Sequence, residues 1–441
     1  MSAELYREMA SYIDSKLEFV TATRQDFHKH AESGWHEIRT CSLIADHLIK
    51  LGYTKVLMGR EALKAEARMG LPDQEELDYV YQRALEQGAV PEYAEKFKDG
   101  FTGIVAILET GRPGPVIGFR QDIDALGVFE CKDPAVHRPA REGFASINDG
   151  EMHACGHDAH ATIGMTVADV LMKYKDQLNG TVKLVFQPAE EGVRGAKAIA
   201  ETGILDDVDY MFGVHMWSRE EGGDDQIGFS YNESMANAKI DVLLHGNAAH
   251  ATQPELGNNA MLAAGHIILG IYGIPRTSLG DSKINIGMIQ GGSGRNVICD
   301  RVKLVMELRG HNQAALGYIY PYARKIIEHS AAMHGCASEI KLMGETYSLF
   351  SDVPEFVDEI VAFSKSMGFR TTGPKKGDAS DDYSTMCKRV QEHGGKSMSF
   401  TVSTEVPAPF HSTKFDLQEK DILNGVKFEC AACLHLMGLL P

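Results

Sequence analysis

Thr181-Val182-Lys183-Leu184-Val185-Phe186-Gln187-Pro188-Ala189-Glu190-Glu191 is a short β-rich run that stops at a proline and leaves two carboxylates behind it. Branched and aromatic side chains favour a pleated, buried strand, and Pro188 withdraws a ladder N–H, so Thr181–Phe186 reads as a strand. Glu190 and Glu191 then project from a sheet edge rather than along a helix. On either side the texture alternates. Gly103–Leu108, Val116–Arg120 and Tyr210–Val214 read as strands, with a helix near Ala196–Glu201. Ala159–Tyr174 reads as a helix carrying Ile163, Val167, Val170, Leu171 and Tyr174 on one face. Such alternation implies an α/β sheet covered by helices.

The rhythm changes near Ala236. Strand patterns at Lys239–Leu244, Lys283–Ile289, Val302–Leu308 and Glu339–Met343 enclose helical patterns at Asn259–Ile271 and Gly317–His334. This βαββαβ order is the ferredoxin-like plan. The α/β texture resumes after Tyr347, so the second unit, residues 236–347, is inserted into a first made of 1–235 and 348–441. Two compact units suit a chain of 441 residues. The stretch Arg60–Gly100 reads as a charged, helical surface excursion between sheet elements.

With 44 Lys and Arg against 61 Asp and Glu, the net charge is −17. That balance argues against nucleic acid and anionic membranes as partners. If the substrate is an anion, local cations must overcome a repulsive field. Ser2–Phe27 reads as one amphipathic helix, with Leu5, Met9, Ile13, Leu17 and Val20 apolar, and not as a signal peptide. No apolar run reaches the ~20 residues that span a bilayer. Eight scattered cysteines make no disulfide framework, so a cytoplasmic protein is expected, and Cys430 and Cys433 read as core residues in a late helix.

No P-loop, G-x-S-x-G, H-E-x-x-H or intact G-x-G-x-x-G is present, which weighs against nucleotide and serine-hydrolase chemistry. Ligand-type residues instead gather just past strands, where open α/β sheets build their sites. Arg120-Gln121-Asp122-Ile123-Asp124 follows one strand, Glu190 and Glu191 another, and His215 a third. Met152-His153-Ala154-Cys155-Gly156-His157-Asp158-Ala159-His160 opens a helix, and Phe410-His411-Ser412 lies in a Pro-rich loop. Taken singly, each is more simply a core cysteine, a solvated histidine or a solvated acidic face. Together they supply thiolate, imidazole and carboxylate, a mixture suited to Zn²⁺ or another first-row divalent ion. A turn at Gly156 lets Cys155 and His157 face one site. Asp158 is suited to fixing an imidazole from behind. Of the adjacent glutamates, one can ligate while the other takes a proton from water. Amide hydrolysis needs that division of labour.

At this point the chain resembles the M20 metallopeptidases, in particular their amidohydrolase branch. The resemblance rests on Arg120–Leu126, Met152–His160, Phe186–Glu191, Ala248-Ala249-His250-Ala251, Gly291–Ile298, Ala379-Ser380-Asp381-Asp382-Tyr383 and Phe410–Ser412, in that order. It implies a catalytic α/β domain interrupted by a ferredoxin-like lid that also dimerises. It implies two divalent ions, zinc or manganese, held by Cys155, His157, Glu191, His215 and His411, with Glu190 as general base. His250 matches a histidine that steadies the oxyanion, in the family reaching across the dimer. Asn296 and Arg309 match positions that hold the substrate's free carboxylate, and Asp122 resembles a supporting aspartate. Gly127 and Ala379 depart from the family's usual Pro and Gly. His153 and His160 are assigned no metal.

The activity so implied is hydrolysis of an N-acyl or N-aroyl amino acid; the insertion before Phe101, the Arg138–Phe144 stretch and the length resemble the members of the branch that act on p-aminobenzoyl-glutamate, and that resemblance makes it the favoured substrate. Alternatives are indole-3-acetyl-aspartate or another aromatic conjugate, an aminopeptidase or dipeptidase, and a chain that works only with a related partner. The expected assembly is a homodimer, or a heteromer with such a partner.

Overall fold

The computed structural model describes residues 2–220, 222–230, 235–348, 352–375 and 380–441; Ala379 lies outside them. In chain order the strands are β1 Lys55–Met58, β2 Ile104–Glu109, β3 Val116–Asp122, β4 Thr181–Gln187, β5 Tyr210–Ser218 and β6 Ile227–Ser230. They continue with β7 Ala236–His245, β8 Ser282–Gly291, β9 Arg301–Gly310, β10 Ala337–Thr346, β11 Thr371–Lys375 and β12 Lys396–Thr404.

Eight strands form one mixed sheet in the order β1-β2-β4-β3-β5-β12-β6-β11. Its centre, β4-β3-β5-β12, is parallel. Helices His157–Lys173 and Glu419–Leu436 cover one face, where Ile163, Val167, Phe212, Phe400 and Phe428 are buried in the main core. On the other face Met211, Tyr383, Met386 and Val390 form a second cluster with Trp35 and Phe101. Because the four central strands run together, their carboxyl ends converge on one edge, and the loops that leave them build the site.

The remaining strands form a separate antiparallel sheet, β10-β7-β9-β8. Helices Ala260–Tyr272 and Gln313–Met333 pack on one face of it over a core of Ile240, Val242, Leu304, Ile267 and Ile319. The ferredoxin-like reading is therefore correct, with wider elements than expected. The helix placed at Gly317 starts at Gln313, because the Asn312 side chain caps it by accepting the Ala315 N–H at 2.9 Å. Backbone contact joins the two units beside the Glu190–Glu191 turn. There the Glu345 N–H donates to the Val193 carbonyl at 2.9 Å, and a Cβ on Gly344 would stand 2.3 Å from the Gly192 oxygen.

Two expectations need correction. The N-terminal helix is two, Ser2–Asp14 and Leu17–Lys29, because Ser15 turns its hydroxyl onto the Tyr12 carbonyl and ends the first. The break leaves Leu17 on the surface while Met9, Ile13 and Val20 stay buried. The 60–100 stretch is not simply solvated. Its helix Gln74–Glu86 buries Leu77, Val80 and Ala84, and Trp35 Nε1 donates to the Met69 carbonyl at 2.8 Å. Cys430 and Cys433 are fully buried in the last helix, as expected.

Candidate metal centre

The sharpest local feature is the entry to helix His157–Lys173. Gly156 has φ +87° at its N-cap, a conformation that costs other residues a Cβ clash. A side chain there would also stand 3.3 Å from Leu417 and Met216. This turn lets Cys155 and His157, two residues apart, present their ligand atoms to the same space. The ligand atoms of Cys155, His157 and His215 all lie within 4.8 Å of one another, and so do those of Cys155, Glu191 and His411. Cys155 belongs to both triads. His157, Glu190 and Glu191 form a third group of the same kind.

The glutamates sit in a turn of unusual backbone. Ala189 and Val193 have φ +50° and +60°, and His411 opposite has +64°. Strain of this kind persists only where surroundings over-determine it. Here buried carboxylates do so. Asp124 accepts the N–H of Glu190 at 3.0 Å and of Glu191 at 2.9 Å. Glu37 accepts Ala189 N–H at 2.8 Å, and Asp382 accepts those of Gly195 and Ala196, each at 2.9 Å. His411 is tied by its own N–H to the Ala154 carbonyl at 2.8 Å. Burial, then the charges of Asp381 and Glu191, push Glu190 well above the usual carboxylate range. Burial likewise raises Glu191 to about 7.

The donor set fits a bound cation. His157 is fully buried with neither ring nitrogen hydrogen-bonded, and Glu191 Oε1 is buried without a hydrogen bond among the described residues, with His411 Nε2 standing 3.6 Å away. Orphaned polar atoms of this kind are costly unless something fills the space between them. His215 donates from Nδ1 to the Met216 carbonyl at 2.6 Å, which leaves the Nε2 lone pair facing Cys155 Sγ at 3.5 Å. Burial and then His160 hold His215 down to about 3, so it is neutral, as a ligand must be. Burial and Glu191 push the Cys155 thiol up; a coordinated cation would reverse this by deprotonating it.

Other expected residues divide. Asp158 does fix an imidazole, but that of His28 and not one of the ligand histidines. Its carboxylate turns away to His28 Nδ1 at 2.8 Å and Arg24 Nε at 2.9 Å, since its place in the first turn points it back towards helix Leu17–Lys29. Asp122 accepts from His160 Nδ1 and pairs with Arg120 at 2.9 Å, standing 3.7 Å from His157. His160 is used at both nitrogens, because Nε2 accepts the Met216 N–H at 2.7 Å. It has no lone pair left for a metal. His153 is buried, lowered to about 4 by that burial, and joins none of the ligand groups among the described residues. His215 lies inside β5 rather than ending it, because β12 carries the ladder on to Ser218.

A cavity of about 630 Å³ opens from Cys155, Glu190, Glu191, His215 and His411 towards the second sheet, which contributes Asn237, Lys239 and Arg309. Trp217 and Phe410 stack at 5.3 Å and 24° on its wall. Arg309 is held by Glu307, at 2.9 Å from Nε and 3.0 Å from the terminal nitrogen. His250 and Asn296 are exposed and do not line this cavity; the single chain does not bring them to Glu190. The sequence points to no role for Glu37, Trp217 or Lys239, and it places Asp124 among the ligand-type residues without giving it one. For Asp124 the signal was present, since it ends the same acidic run as Asp122. For Glu37 no sequence signal points across the fold to Ala189.

The model of peptidase family M20/M25/M40 matches residues 118–435. The chain is 43% identical over 416 residues to indole-3-acetyl-aspartic acid hydrolase of Enterobacter agglomerans, covering 92% of this chain and 93% of that protein. It is 41% identical over 424 residues to a p-aminobenzoyl-glutamate hydrolase subunit of Escherichia coli K12, covering 94% and 95%. Its fold is similar to that of the aminobenzoyl-glutamate utilization protein from Klebsiella pneumoniae, with a TM-score of 0.81, 36% identity and coverage of 96% and 97%.

Proposed function

Because the chain belongs to peptidase family M20/M25/M40, a metal-dependent family, we propose that it hydrolyses the amide of an aromatic N-acyl amino acid, with p-aminobenzoyl-glutamate as the favoured substrate. The observation that carries this reading is the pair of ligand triads meeting at Cys155, with Glu190 beside them. Cys155, His157, Glu191, His215 and His411 would hold two divalent ions. Zinc suits the thiolate and imidazoles, while manganese suits the carboxylate. When bound, the ions supply Lewis acidity to the amide carbonyl and to water.

The protein's own residues do the rest. Glu190, beside the ligand groups, takes a proton from water as the water oxygen bonds the carbonyl carbon, and gives it to the amide nitrogen as the C–N bond breaks. Asp124 fixes the backbone of both glutamates, so their separate roles persist through turnover. Trp217 and Phe410 offer a flat apolar wall for an aromatic acyl group. Asp122 acts through His160 and Arg120. Asp158 acts through His28.

Residues 236–347 would form the lid and the dimerisation unit, and 1–235 with 348–441 the catalytic domain. His250, with Asn296, would come from a second copy, His250 donating to the oxyanion of the attacked carbonyl. Support lies in the edge strand β8 and in the exposed Leu269 and Tyr272 beside it, an uncovered apolar surface on the antiparallel sheet's unit. A related chain could fill that place, since the Escherichia coli relative is named as one subunit of its enzyme.

Indole-3-acetyl-aspartate is the second substrate reading, favoured by the Enterobacter relative and by the same aromatic wall. A panel of aroyl- and indolyl-amino acids separates the two. Glu190→Gln tests the mechanism: metal content should stay at the wild-type level while kcat falls by roughly 10²- to 10⁴-fold. Near-normal kcat would remove Glu190 as the base.

A further inference from the structure

The cavity is an acidic place. Glu190, Glu191, Glu220, Asp225 and Asp381 line it, in a chain of net charge −17. Two cations enter it from the antiparallel sheet, Arg309 and Lys239. They are not equivalent. Arg309 is bound twice by Glu307, whose carboxylate also accepts from Asn237 Nδ2 at 2.7 Å. That positive charge is already answered by a fixed negative one. Lys239 pairs across the ladder with Glu307 on one side and with Gly344 on the other. It alternates with Ala238 and Ile240, which are buried in the sheet's core, so its side chain leaves by the opposite face, towards the cavity. No hydrogen bond or ion pair holds the Lys239 side chain among the described residues; its charge acts on Glu307 and Glu191 only from a distance. Its neighbour across the strand, Gly344, is the residue pressed against Gly192, immediately after Glu191. Lys239 therefore stands over the turn that carries the catalytic carboxylates, as a half-buried ammonium with no direct partner there.

We infer that Lys239 forms a subsite for an anionic side chain, the second carboxylate of an acidic amino acid in the amine half of the substrate. This rests on the hydrolase reading above and adds its selectivity. A dicarboxylate entering an acidic cavity loses hydration and meets repulsion, and Arg309, already bound at both ends by Glu307, cannot answer both of its charges, so a second fixed cation is required. Lys239 meets that requirement; a neutral residue at the same place would leave the side-chain carboxylate unpaired.

The experiment compares p-aminobenzoyl-glutamate with p-aminobenzoyl-glutamine, which has the same shape without the charge, on wild type, Lys239→Met and Lys239→Arg. Wild type should prefer the glutamate conjugate by about 10- to 100-fold in kcat/KM, the range of a charge-assisted contact. Lys239→Met should bring that ratio near one, through a raised KM for the glutamate conjugate. Lys239→Arg should keep most of it. A folding or metal defect lowers both substrates together and leaves the ratio unchanged; Lys239→Gln serves if Lys239→Met does not fold. Preference for glutamate that survives in both neutral variants overturns the subsite and leaves the hydrolase reading standing. A wild type that cleaves no N-acyl amino acid overturns both.

Discussion

Asp124 accepts the backbone N–H of Glu191 at 2.9 Å on one carboxylate oxygen while its other oxygen accepts that of Glu190 at 3.0 Å. Oxygen Oδ1 also stands 3.4 Å from His157 Nδ1. One buried side chain thus spaces the proposed base, the neighbouring ligand and the histidine that opens the next helix.

Asp124→Asn keeps the shape but can accept on one atom only, and must turn a donor towards an N–H. The expected loss is about 10- to 100-fold in metal affinity or kcat, the usual cost of removing a residue that orients ligands. Metal titration with kcat on the same preparations checks this. A variant with wild-type values for both would show that the turn holds itself.

If His250 serves the neighbouring copy, two inactive variants should complement. His250→Ala alone should lose roughly 10²- to 10³-fold in kcat. Co-expressed with Glu190→Gln, half of the dimers would carry one intact site, so about a quarter of wild-type activity should return. Activity equal to the sum of the two variants would place His250 in its own chain's site or in none.

Stability should respond to acid through Glu130. Burial alone raises this carboxyl, but hydrogen bonds and charge from His28, and then from His137, outweigh burial and hold it down to about 2. Its folded value lies below the unfolded one, so its contribution is complete above about pH 4.5 and is lost as pH falls towards 2. The stability gap between wild type and Glu130→Gln should therefore close over that interval, by on the order of 2 to 3 kcal/mol. Urea melts at several pH values measure it. A gap constant from pH 6 to pH 2.5 would contradict the pairing.

Much of this was legible in the chain because local rules carried it. The Thr181–Gln187 strand and its terminal glutamates follow from β-propensity and one proline. The turn at Gly156 follows from the spacing of Cys155 and His157. The βαββαβ order of the antiparallel unit follows from a change of period. What escaped depends on groups far apart in sequence. Asp158 is suited by type to fixing an imidazole, but nothing local says which one; Arg24 and His28, more than a hundred residues earlier, take it. Glu37 holds the Ala189 turn from a different layer of the fold. Lys239 was indistinguishable from any strand lysine until Glu307 proved to be occupied by Arg309. Leu17 fits the apolar stripe, but a serine turn two residues earlier rotates it to the surface.

If Cys155 belongs to both halves of one metal centre, its loss should empty both. Metal equivalents bound to the purified chain and to Cys155→Ala, counted by elemental mass spectrometry after dialysis, decide this. Wild type should carry about two per chain, and Cys155→Ala should lose both, since each triad is reduced to two protein ligands. A Cys155→Ala protein that keeps two tightly bound equivalents, or a wild type that binds none, would contradict it.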